Sequence, residues 1–79
     1  MATTTQLRAA YEYLELTIME LWMDYFALGG NHNAGHLHAY LHEDATCHID
    51  PRDRDHIIDA LNDAFVERGD DHLLTHGST

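Results

Sequence analysis

Apolar residues recur along the first third of the chain at the spacing of a helix seam. Leu7, Tyr11, Leu14, Ile18, Leu21, Tyr25 and Leu28 follow one another in alternating steps of four and three, as on the buried face of an amphipathic or coiled-coil helix. A second stripe, Leu16, Met19, Met23 and Phe26, runs beside the seam, with Trp22 between the two. The pattern predicts one long helix over about 5–28, apolar on most of its circumference. Such a helix has to be covered on most of its circumference. Thr3 and Gln6 stand at capping-box spacing at its start, and Gly29-Gly30 supplies the stop.

Two shorter helices are predicted downstream. The first covers about 34–43, with Asn33 as N-cap and Leu37, Tyr40 and Leu41 as its apolar edge. A linker without clear period occupies 44–49. The last helix covers about 51–68: Asp50 caps it, Pro51 takes the first helical position and Asp53 lies in the electropositive first turn. Ile57, Ile58, Leu61, Ala64 and Phe65 share one face, while Asp55, Asp59, Asp63 and Glu67 follow at steps of four on the other. Gly69 ends the helix, and residues 70–79 are expected to fray. The fold class is therefore all-α: a single three-helix domain with the long N-terminal helix as its spine.

A chain of 79 residues has a thin core, and scaffolds of this size commonly lean on a disulfide, a metal or a partner. The single cysteine, Cys47, excludes an internal disulfide. The two shorter helices offer too little apolar surface to cover both stripes of the first. Leu16, Met19, Trp22, Met23 and Phe26 are therefore the expected partner or dimer interface, since Trp and Met are enriched in interface cores. The expected role is a homodimeric regulator or adaptor that binds another protein.

Charge narrows the partners. Acids number 14 against four Arg and no Lys, for a formal net charge of −10. Phosphate backbones and anionic membranes need surplus Lys and Arg, so direct nucleic-acid and membrane binding are not expected. No apolar run approaches the ~20 residues of a membrane span, and the opening residues lack the basic and apolar segments of a secretory leader. A cytoplasmic location is expected. The row Asp55, Asp59, Asp63 and Glu67 suggests an acidic ridge turned toward a basic partner, or alternatively a mimic of a row of phosphates.

Eight histidines open another alternative. Between positions 29 and 42 there is no Asp, Glu, Lys or Arg, yet His32, His36, His38 and His42 stand there. His38 and His42 are one turn apart, and Cys47 and His48 follow; a zinc site could be drawn from these four. The favoured reading assigns no cofactor. Protonating all eight would also move the formal charge from −10 to −2, a titration between about pH 5 and 7. Enzymatic chemistry has no support: Cys47 and His48 are sequence neighbours rather than a positioned nucleophile and base, and no glycine loop cradles a phosphate.

Overall fold

The computed structural model describes residues 3–42 and 48–69. Within them the chain forms four helices: α1 (Thr4–Tyr13), α2 (Ile18–Ala27), α3 (Ala34–Leu41) and α4 (Pro51–Glu67). No strand occurs among the described residues, which form an all-helical fold.

The expected single helix over 5–28 is two helices. Leu14 caps α1, and Glu15 adopts a left-handed backbone with φ 55°, a conformation that costs an L-residue and ends a helix. Thr17 then starts α2. Its hydroxyl accepts from the Glu20 amide while the Glu20 carboxylate accepts from the Thr17 amide. Thr3 and Gln6 make the same reciprocal pair at the start of α1. Each box satisfies two of the amides that a helix start leaves without intrahelical acceptors. Asn33 and Asp50 cap α3 and α4 through single side-chain acceptors.

The spine also differs from expectation. At 17 residues, α4 is the longest helix and places Asp53, Ile57, Ile58, Ala60, Leu61, Ala64 and Phe65 in the interior. Both α1 and α2 pack against α3 and α4. The expected seam survives the break. Leu7, Leu14, Leu21 and Tyr25 are buried and Tyr11 and Ile18 partly so, while Leu28 is exposed. Leu37 and Leu41 of α3 complete the core. Gly29, at φ 108°, turns the chain out of α2. At Gly30 any Cβ would collide with the ring of Tyr25, so the turn after α2 needs glycine at both positions.

Candidate functional site

The second stripe of the sequence lies outside this core. Met19, Met23 and Phe26 are 51%, 61% and 50% exposed. Leu16 and Trp22 are half-buried at its edges. The Trp22 and Phe26 rings meet edge to face with centroids 5.1 Å apart, a favourable aromatic geometry. Trp22 Nε1 donates to the His32 carbonyl at 2.9 Å. The indole thus has its polar atom satisfied from within the chain, and its apolar ring adjoins the exposed residues.

What holds His32 in place is a buried polar cluster that sequence reasoning missed. Asp53, in the first turn of α4, is 1% exposed. The loop between α2 and α3 closes over it. Asn31 Nδ2 reaches Asp53 Oδ1 at 3.5 Å, and His32 Nε2 stands 3.3 Å from Asp53 Oδ2. The second contact has ion-pair distance but not hydrogen-bond alignment, and Oδ2 has no hydrogen-bond donor among the described residues. From α2, the fully buried Tyr25 hydroxyl accepts the backbone N–H groups of Asn31 and His32 at 3.2 and 3.1 Å. Burial raises the Tyr25 pKa, and the negative charge of Asp53 adds to this; the two backbone N–H groups act in the opposite direction. The start of α4 adds its own positive end beneath the Asp53 carboxylate. Together these contacts tie α2, the following loop and α4 into one unit, with Trp22 hung from it.

The histidines form two stacked pairs. His32 and His36 stack with centroids 4.3 Å apart, and His38 and His42 at 4.2 Å. His36 Nε2 lies 2.9 Å from the His48 carbonyl, and His42 Nδ1 lies 2.9 Å from the His38 carbonyl. A carbonyl can only accept, so each of these ring nitrogens carries a hydrogen. Of the proposed zinc set, Cys47 lies outside the described residues. His38 and His42 are together, whereas His48 offers its carbonyl to His36. Among the described residues, no group of three or more His, Cys, Asp or Glu side chains is arranged to hold a metal ion.

The acidic row of α4 does not stay on one face. Steps of four residues advance about 40° each around a helix. Asp55 and Asp59 are accordingly half-buried, and only Asp63 and Glu67 are exposed. The last two border an open groove between α2 and α4. One part of it, about 480 Å³, is lined by Leu16, Glu20, Met23, Asp24, Ala64, Glu67 and Arg68. A neighbouring part, about 290 Å³, shares Asp24 and Glu67 and adds Ala27, Leu28, Asp63 and Val66.

No helix among the described residues is long and apolar enough to cross a membrane. Comparison of the chain with protein-family models, curated proteins and solved structures finds no match.

Proposed function

We propose that this chain is a small acidic interaction module, a regulator or adaptor that pairs with a second copy through the apolar face of α2 and binds another protein elsewhere. The observation that carries the reading is the exposure of Met19, Met23 and Phe26 beside Trp22. Three large apolar side chains half or more in solvent on one ten-residue helix form the kind of patch that marks a binding surface. The stripe itself contains no charged residue, so two copies can oppose it without stranding a carboxylate. The indole N–H is already bonded, so burial of Trp22 leaves no donor unsatisfied. Each large apolar side chain buried contributes roughly 1.5–3 kcal/mol, and self-pairing doubles the number.

Light scattering behind a sizing column, over a tenfold range of concentration, tests the pairing. The expected mass is twice the 9.0 kDa of the chain. Met23→Asp is expected to restore the single-chain mass with helicity retained. A single-chain mass across the whole range overturns the self-pairing. Loss of helicity in Met23→Asp would place Met23 in the folded core and overturn the interface.

A further inference from the structure

We infer that the groove between α2 and α4 receives a cationic amphipathic helix of another protein. The inference extends the interaction-module reading to the groove that adjoins the Met19–Phe26 face and shares Leu16 and Met23 with it. Around α2, Trp22, Phe26 and Met19 occupy one flank, whereas Glu20, Asp24 and Leu28 lie on the other at roughly 100° per residue. The groove follows this second flank. Its apolar surface includes Met23, Leu28 and Val66, the last 64% exposed. Carboxylates stand on both walls: Glu20 and Asp24 from α2, Asp63 and Glu67 from α4.

The use of these carboxylates inside the chain is limited. Glu20 accepts from the Thr17 amide through one oxygen and feels the charge of Arg68, the sole cation among the described residues that line the groove. The side-chain carboxylates of Asp24, Asp63 and Glu67 have no hydrogen bond or ion pair among the described residues. Exposed apolar side chains mixed with carboxylates from both helices complement a helix that carries apolar residues along one stripe and Lys or Arg beside it. Met23 adds an unbranched, adaptable side chain of the type that suits grooves receiving helices.

Charge also decides against the two occupants nearest to hand. A second copy brings a net charge of −10 to a groove that is already acidic. The chain's own residues 70–79 begin Asp70-Asp71 and contain no Lys or Arg.

The test uses the full chain and two synthetic helical peptides of about four turns with identical leucine stripes. One carries Lys on its polar face and the other carries Glu. Titration calorimetry is expected to show binding of the lysine peptide alone. Asp63→Asn with Glu67→Gln is expected to weaken it about tenfold, and raising salt to about 0.5 M to weaken it similarly. Val66→Asn leaves the net charge unchanged and is expected to weaken binding as well, which diffuse attraction to an acidic protein would not reproduce. Circular dichroism checks that each variant folds.

Four results overturn the inference. The first is no binding of the lysine peptide. The second is equal binding of both peptides, which leaves only apolar contact. The third is full binding by Val66→Asn, which leaves only diffuse charge. The fourth is a Val66-dependent change in mass, which gives the groove to a second copy. If the lysine peptide fails to bind while Val66→Asn lowers the melting temperature, the groove belongs to residues 70–79. The two surfaces adjoin at Leu16 and Met23, so residues that line only one of them separate the readings: Met19→Ser with Phe26→Ser is expected to abolish pairing and keep peptide binding, and Val66→Asn the reverse.

Discussion

Asp53 illustrates how a single residue can carry more than its local sequence states. In the linear chain it is a first-turn acid of a helix, a common and mildly stabilising placement. In the folded chain it is a buried carboxylate, approached by Asn31 and His32 from a loop more than 20 residues away in sequence. Removing one partner from a buried polar cluster leaves the others desolvated without compensation. Asp53→Ala should therefore destabilise the fold by about 1–3 kcal/mol, the usual range for stranding buried polar groups. A lowered urea midpoint would record this. Asp53→Asn keeps the shape and one acceptor, so its loss should be smaller. The indole of Trp22 should report the same event, because its N–H is bonded to the carbonyl of His32. An unchanged midpoint in Asp53→Ala would remove the carboxylate from the groups that hold the loop closed.

At the level of elements, the break between α1 and α2 shows where periodicity misleads. The apolar seam continues through Leu14 and Ile18 in perfect step, so the hydrophobic pattern alone reads as one helix. Thr17 and Glu20 carry the opposing signal, a capping box in mid-pattern, and its chemistry is local enough to be legible beforehand. The other starts, at Thr3, Asn33 and Asp50, are where their side chains predict them, because a cap depends only on residues three apart. The buried face of α4 was equally legible, since burial follows a single helical period. The polar cluster was not, because it joins positions 25, 31, 32 and 53, and no short-range spacing relates them. The exposed stripe of α2 was visible as a surplus of apolar residues. The groove was not, since it depends on how α4 turns Asp63 and Glu67, but not Asp55, toward α2. Thr17→Ala should cost about 1 kcal/mol, the ordinary value of an N-cap. Thermal unfolding followed by circular dichroism measures it. If melting is unaffected, the start of α2 is fixed by packing of Leu21 and Tyr25 rather than by the cap.

Across the whole molecule, acidity makes alkaline pH the condition that exposes the polar core. The folded chain raises the pKa of both Tyr11 and Tyr25 above the ordinary 10.0, in each case chiefly through burial and then through neighbouring carboxylates, Glu12 and Glu20 for Tyr11 and Asp53 for Tyr25. A raised pKa means that the folded chain holds these protons at a pH where the unfolded chain releases them. Their contribution to stability is thus fully present below the unfolded value and is lost as pH rises through the folded one. The phenolate of Tyr25 would also stand beside Asp53 in a chain whose formal net charge is already −10. The urea midpoint is therefore expected to fall as pH rises above about 10, with little change between about pH 8 and 9. Tyr25→Phe should start from lower stability, because the amides of Asn31 and His32 lose their acceptor. Its midpoint should nonetheless decline less steeply with pH, with the remaining slope due to Tyr11. Equal slopes in the two proteins would mean that Tyr25 loses its proton as readily folded as unfolded. The hydroxyl at the centre of the cluster would then be open to water, and the loop that suspends Trp22 would not be closed over it.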